Sequence, residues 1–183
     1  MAFVCAVLNV SAQGDSKFSW KAGVGISNLV GSDDAALKTA ISFKLGVGYE
    51  YAVSESFSIE PAAMLSNKGF KVEGFTNYVA RYFLEVPVLA AYKMNLNNNC
   101  QLVLNAGPYV AYGLFGSDII WGDGAKTNAF DAFNRFEAGL GAGAKLAFNR
   151  MSVGVDFNRA FTKAMDDVKA YSQIIGLTFG YKF

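Results

Sequence analysis

The sequence predicts an all-β fold, an eight-stranded antiparallel up-and-down β-barrel. Three observations predict it. Apolar residues alternate with polar or small residues at a period of two along most of the chain. The alternating segments number eight, an even number that can close on itself without any helical segment. The connections between them are alternately short and long.

Each of the eight segments has one apolar face and one face of polar or small residues. The predicted strands cover residues 17–26, 41–51, 57–66, 78–93, 101–114, 135–148, 151–158 and 171–183. In the first four strands the apolar face is carried by Phe18, Trp20, Val24 and Ile26; by Ile41, Phe43, Leu45 and Val47; by Phe57, Ile59 and Leu65; and by Tyr82, Leu84, Val86 and Val88. In the last four it is carried by Leu102, Leu104 and Val110; by Leu140 and Leu146; by Met151, Val153 and Val155; and by Ile175, Leu177 and Phe179.

The connections predict short turns at one end of the barrel and long loops at the other. The short ones lie at residues 53–56, 95–99 and 149–150, and the long ones at residues 31–39, 67–77, 116–134 and 161–170. Pro61, Pro87 and Pro108 fall inside strands, where each removes a ladder hydrogen bond, so we expect them at bulges or strand-end irregularities.

The polar face predicts a narrow, charged lumen. It consists mainly of Gly and Ser with charges near the middles of the strands, a poor exterior for a soluble protein but suited to paired ions. The predicted lumen charge network comprises Lys21, Lys44, Glu50, Glu60, Arg81, Glu85, Arg135, Glu137, Lys145 and Asp156. Together with Met64, Leu89 and Val103, these side chains are expected to plug the lumen rather than leave an open pore.

Aromatic residues gather at both ends of the strands, which favours lipid around the apolar face. The predicted aromatic girdles contain Trp20, Tyr51, Tyr82, Tyr92, Tyr112, Tyr171 and Tyr181. Aromatic rings at two levels anchor barrels in the headgroup regions, and tilted strands of about 10–13 residues can cross the apolar band. The expected location is therefore a bacterial outer membrane. A soluble lipocalin-like calyx that binds a small apolar ligand is the alternative, because it shows the same alternation.

The N-terminal residues resemble the end of a secretory signal. Residues 3–8 are apolar, and Val10, Ser11 and Ala12 supply the small residues that a signal peptidase requires, although the basic n-region is missing. The predicted domains are a residual signal peptide over residues 1–13 and a barrel over residues 14–183. An ordinary first strand is the alternative for the N-terminal segment.

The residue types argue against the common active sites. The chain has no histidine, so the usual general base and the commonest metal ligand are missing. Cys5 and Cys100 do not form a disulfide framework. The net charge of +1 does not indicate a nucleic-acid partner. We therefore predict a non-enzymatic protein without cofactor, metal or nucleic acid.

Two groups of carboxylates are candidate sites. Glu60 with Glu85 or Glu50 could form a catalytic pair, but lumen salt bridges explain them better. Acidic loop residues could make a weak calcium site, but no ligand spacing supports it and solvated loop charge is the better explanation. These are Asp33, Asp34, Asp166 and Asp167.

Several motifs resemble the outer-membrane β-barrel proteins of Bacteroidetes that are called PorT-like. They are Leu84-Glu85-Val86-Pro87-Val88-Leu89-Ala90-Ala91-Tyr92-Lys93, Ala106-Gly107-Pro108-Tyr109-Val110-Ala111-Tyr112-Gly113, Lys21-Ala22-Gly23-Val24-Gly25-Ile26-Ser27-Asn28 and Gly176-Leu177-Thr178-Phe179-Gly180-Tyr181-Lys182-Phe183. The resemblance covers residues 14–183 and implies an OmpA/OmpX-type barrel with both termini in the periplasm. It also implies that the terminal Phe183 is the signal for the barrel assembly machinery, while no functional residue can be carried over.

The longest connection is the predicted contact surface. Ile119, Ile120 and Trp121 form an apolar patch among Gly and Asp, which suits a protein partner, although packing over the barrel mouth would explain it too. Arg159 and Lys163 are placed to touch lipopolysaccharide phosphate at the outer rim. We expect a structural, adhesive or secretion-accessory role carried by the extracellular loops, in outer-membrane lipid.

Overall fold

The computed structural model describes residues 17–31, 37–72, 78–97, 99–120, 126–165 and 169–183. Its long strands are β1 (Lys17–Gly31), β2 (Ala40–Ala52), β3 (Phe57–Val72), β4 (Tyr78–Asn97), β5 (Cys100–Gly116), β6 (Phe136–Phe148), β7 (Met151–Ala160) and β8 (Ala170–Lys182). A two-residue strand, Leu37–Lys38, extends the sheet beside the end of β3.

The eight long strands form a closed antiparallel barrel. Each pairs with its neighbours in sequence, and β1 pairs with β8 from Ser19–Lys182 to Gly31–Ala170. Closure leaves no sheet edge among these strands, so their backbone groups can be satisfied without water. The predicted fold class is confirmed.

Side chains are distributed inside out compared with a soluble protein. On the outward face Val24 is 63% and Leu45 56% exposed, while the inward Glu60 and Glu85 are each 2% exposed. This follows from the period-two alternation, since successive side chains of a strand point to opposite sides of the barrel wall. The wall is therefore apolar outside and polar inside.

Two predicted connections are shorter than expected. The connection placed at residues 67–77 is wrong, because β3 continues to Val72 and its Lys68 and Lys71 pair with Arg81 and Tyr78 of β4. The turn placed at residues 95–99 also begins too early, since β4 runs to Asn97. Both segments are polar and lack the apolar alternation, yet backbone pairing with the adjacent strand does not require apolar side chains.

The prolines lie in gaps of the ladder rather than at bulges, so that expectation is wrong. Pro87 lies in a gap of the β3–β4 ladder, between the pairs Pro61–Val88 and Met64–Glu85. Pro61 lies in a similar gap between β2 and β3, and Pro108 in one between β4 and β5. The register is unchanged across each gap. One register shift lies near the long-loop end of β5, where Leu114 is an extra residue opposite Tyr82 and Phe83.

The connection from β5 to β6 contains structure that the sequence did not predict. Asp118–Ile120 pairs with Lys126–Asn128, and a single helical turn, α1 (Ala129–Ala132), follows. The backbone N–H of Phe130 donates to the side chain of Asn128 over 3.0 Å, which caps the turn. Among the described residues, no helix is long and apolar enough to cross a bilayer.

Candidate functional site

An aromatic plug, formed by Phe83, Phe130 and Phe133, occupies the lumen at the long-loop end. Phe83 is fully buried, and Phe130 and Phe133 from the α1 region are buried as well. The rings of Phe83 and Phe130 meet edge to face with centroids 5.5 Å apart. Gly113 leaves the room for Phe130, because a Cβ at this position would lie 2.3 Å from the ring.

Two arginines hold the aromatic plug. The guanidinium of Arg81 lies 4.7 Å from the ring centre of Phe133 and 5.5 Å from that of Phe83. Arg135 lies 4.8 Å from the ring centre of Phe130. Cation–π contacts of this kind strengthen when they are desolvated, so the plug is fixed to the wall by more than apolar packing.

The segment after β7 lies against the plug. The backbone N–H of Asn134 donates to the carbonyl of Ala164 over 2.9 Å, and that of Ala164 donates to Ala170 over 2.7 Å. Phe133 and Ala164 share one buried cluster with Leu29, Val79 and Ala129. Two connections therefore converge over the long-loop mouth of the barrel.

Immediately below the plug, an upper ion cluster crosses the lumen. Its members are Lys68, Arg81, Glu85 and Glu137, all at most 5% exposed. The Lys68 ammonium lies 2.5 Å from a Glu137 oxygen and 2.9 Å from a Glu85 oxygen. The Tyr109 hydroxyl donates to Glu137 over 2.8 Å. Two carboxylates are thus compensated by Lys68, which binds both, and by Arg81, in a position from which water is largely excluded.

The lower lumen contains two glutamates that each bind two lysines. Glu60 lies 2.6 Å from the Lys145 ammonium and 3.2 Å from that of Lys21. Glu50 pairs with Lys182 at 2.5 Å and also with Lys93. A further ion pair joins Lys44 on β2 to Asp156 on β7. These pairs link strands that are not neighbours in the barrel.

Two spaces remain in the lower lumen. A cavity of about 90 Å³ is lined by three lysines and three carboxylates, together with other polar and apolar side chains. The charged residues are Lys21, Lys44, Lys145, Glu60, Glu85 and Asp156, of which Glu85 also belongs to the upper ion cluster. A vestibule of about 830 Å³ at the short-turn end contains Glu50, Lys93 and Lys182. The lumen is therefore filled near the long loops and partly open near the short turns.

The structure brings most of the predicted charge network together. Lys21, Lys44, Glu50, Glu60, Arg81, Glu85, Glu137, Lys145 and Asp156 all face the lumen. Arg135 does not, because it is exposed at the rim, where it donates to the carbonyl of Gly113 over 3.2 Å. Met64 and Val103 are buried inside the barrel, and Leu89 lines the cavity.

Sequence reasoning missed Lys68, a lumen cation that is 1% exposed. Lys68 falls within residues 67–77, which the sequence predicts to be a loop, and loop lysines are normally solvated. The available signal was spacing: Lys68 follows Ser66 by two residues and therefore continues the inward face of β3.

The three carboxylates of the candidate catalytic pair, Glu50, Glu60 and Glu85, each bind cations. Glu60 and Glu50 each bind two lysines, and Glu85 binds Lys68 and accepts a 3.0 Å hydrogen bond from Asn158. Among the described residues, no group of three His, Cys, Asp or Glu is placed to hold a metal ion. The arrangement supports ion pairing, and nothing in it points to proton transfer.

The predicted girdle residues lie at the two ends of the outer surface. Tyr82, Tyr112 and Tyr171 lie towards the long loops, and Trp20, Tyr51, Tyr92 and Tyr181 towards the short turns. The backbone N–H of Phe183 donates to Phe18 over 2.9 Å. Arg159 and Lys163 are exposed at the long-loop end.

Some predicted positions lie outside the described residues. They are the proposed signal segment at residues 1–13, Trp121 and the loop acids Asp33, Asp34, Asp166 and Asp167. Ile119 and Ile120 are described in their backbone as part of the small hairpin, but not in their side chains.

Comparison with known proteins agrees with this geometry. The fold resembles Neisserial surface protein A (TM-score 0.57, 12% identity, 93% of this chain and 100% of that one). It also resembles the outer membrane enzyme PagL (TM-score 0.56, 13% identity, 89% and 98%) and OprG of Pseudomonas aeruginosa (0.53, 15%, 92% and 96%). No protein with curated function matches in sequence.

At these identities the solved structures support the fold alone, whereas the family match rests on sequence. Residues 11–166 match the family described as "Outer membrane protein beta-barrel domain". This places the chain in the outer membrane and does not favour the soluble calyx. The chain belongs to the outer membrane protein beta-barrel domain family.

Proposed function

We propose that this protein is a non-enzymatic, non-conducting outer-membrane barrel that acts through its long loops in a structural, adhesive or secretion-accessory role. The observation that supports it best is the α1 turn, which inserts Phe130 into the mouth against Phe83. Below it the Lys68 ion pairs cross the lumen. A barrel closed in this way is a scaffold for its loops rather than a passage.

Purified protein in planar lipid bilayers is expected to be silent, because the aromatic plug and the upper ion cluster fill the long-loop half of the lumen. The measurement is single-channel current at neutral pH and moderate voltage. Removing both Phe130 and Phe133 rings by alanine substitution, combined with Lys68→Ala, should produce brief openings. Steady channels from the wild-type protein would contradict a plugged lumen.

The small hairpin of Asp118–Ile120 and Lys126–Asn128 is the part of the loops proposed to meet a partner. We expect a photo-crosslinking amino acid in place of Ile120 to give a discrete protein adduct in living cells. The same probe at Val53, 54% exposed on a short turn, is the control. Equal adducts at both positions, or none at 120, would refute a contact at this hairpin.

The remaining assignments are proposals of the same kind. The chain is a PorT-like protein of Bacteroidetes in which residues 1–13 are the remnant of a signal peptide. Phe183 is the signal to the barrel assembly machinery, and the exposed Arg159 and Lys163 contact lipopolysaccharide phosphate. The motif resemblance and these positions support them. The girdle residues Trp20, Tyr51, Tyr82, Tyr92, Tyr112, Tyr171 and Tyr181 are proposed to lie at headgroup level.

A further inference from the structure

The lower lumen has more lysines than carboxylates. Seven cationic side chains and five carboxylates face the described lumen, which leaves a surplus of two positive charges. The upper ion cluster is balanced, because Lys68 and Arg81 stand against Glu85 and Glu137. The surplus therefore belongs to the two groups in which one glutamate is shared by two lysines.

The two surplus charges differ in their surroundings. Lys93 and Lys182 border the wide vestibule, where water and the exposed Glu55 at its edge can screen them. Lys21 and Lys145 border the smaller inner cavity, with side chains 23% and 14% exposed. At this level the outward face of the wall is apolar. An uncompensated charge is most costly at this second position.

The inner cavity has the donors that an anion needs. An ammonium group has three N–H donors, and among the described residues Lys21 donates one hydrogen bond, over 3.2 Å to Glu60. Asn105 also lines the cavity and can supply an amide N–H. Asp156 occupies the Lys44 side, so an anion fits better on the side of Lys21 and Lys145. The cavity volume of about 90 Å³ accommodates a small inorganic anion with a few water molecules.

We propose that the inner cavity binds one small inorganic anion between Lys21 and Lys145, which enters from the vestibule and neutralises the surplus charge of the Lys21–Glu60–Lys145 group. The site does not depend on what the loops bind. It faces the short-turn end, since the aromatic plug and the upper ion cluster lie between it and the long loops. The anion would be part of the folded barrel, holding β1 and β6 together through their lysines.

Crystals of the detergent-solubilised protein grown in sodium bromide give the direct test. The expected result is an anomalous bromide peak between the Lys21 and Lys145 ammonium groups. An empty cavity, in crystals that show bromide elsewhere on the protein, would overturn the proposal. This measurement uses the unaltered chain and does not depend on whether a variant folds.

A solution test compares chloride with gluconate, which is too large for the cavity, at constant ionic strength. Chloride should raise the unfolding midpoint by about 2–4 °C in the wild-type protein and in Lys169→Met, which removes an exposed lysine. Lys145→Met should remove the rise, and Lys21→Met is the second variant if Lys145→Met does not fold. Sulfate and phosphate arms show which anions enter.

The two tests together separate a functional site from an incidental one. A bromide peak with no chloride effect on stability would mean an adventitious ion only and would overturn the proposal. An equal chloride effect in Lys145→Met and the wild type would do the same. Channel activity of the wild-type barrel would overturn the proposed plug but leave these readouts unchanged, so the two proposals fail independently.

Discussion

Lys68→Met is expected to lower the free energy of unfolding by about 3–5 kcal/mol, because it leaves two buried carboxylates, Glu85 and Glu137, with Arg81 as the remaining cation of the upper ion cluster. Glu85 and Glu137 are 2% and 5% exposed, and the Lys68 ammonium is the one that binds both. Methionine preserves most of the side-chain volume, so the loss is electrostatic rather than a cavity effect. The measurement is denaturant unfolding of the barrel in lipid vesicles.

Two further variants distinguish charge from packing at Lys68. Adding Glu85→Gln to Lys68→Met should restore much of the stability, because Arg81 and Glu137 then remain as one cation and one carboxylate. The matched control, Lys169→Met, removes an exposed lysine and should change stability by no more than about 0.5 kcal/mol. A Lys68→Met protein as stable as the control would show that the cluster is solvated.

Leu45→Arg is expected to destabilise the barrel in bilayers by about 2–4 kcal/mol, since it places a charge near the middle of the lipid-facing surface. Leu45 lies close to the centre of β2 and is 56% exposed. Val53→Arg is the control. Val53 is equally exposed at 54% but lies on a short turn at the membrane boundary, where the cost falls to about 0–1 kcal/mol. Vesicle unfolding measures both.

The comparison also tests the orientation of the wall. If the outward face of β2 met water instead of lipid, a charge would have little effect on the free energy of unfolding at either position. Similar unfolding free energies for Leu45→Arg and Val53→Arg would therefore show that β2 does not face lipid.

Much of the barrel could be predicted because the requirement that shapes each strand acts on short stretches of sequence. Every strand needs one lipid-facing and one lumen-facing side, and alternation such as Ile41, Phe43, Leu45 and Val47 records that requirement residue by residue. The strand prediction was wrong where the apolar alternation stops. Lys68 and Lys71 lie beyond the apolar alternation, so β3 appeared to stop early, although hydrogen bonding to β4 continues it to Val72.

Most members of the charge network were predicted, but Lys68 was missed and the pairing was not predicted. The inward positions of Glu60 and Lys145 follow from alternation, yet they are 85 residues apart in sequence, and only barrel closure brings them together. Arg135 shows the opposite error. Alternation predicts that it faces the lumen, but it lies exposed at the rim, just before β6 begins.

The sequence by itself determined the strand number, the two faces of the wall and most charges of the lumen, because alternation and residue type are properties of short segments. Only the tertiary structure decided how the lumen is closed. Phe130 enters the mouth because α1 turns back over Gly113, and Lys68 meets Glu85 and Glu137 because the inward faces of β3, β4 and β6 point into the same narrow lumen. Contacts between distant strands depend on barrel closure and register, which no local pattern records.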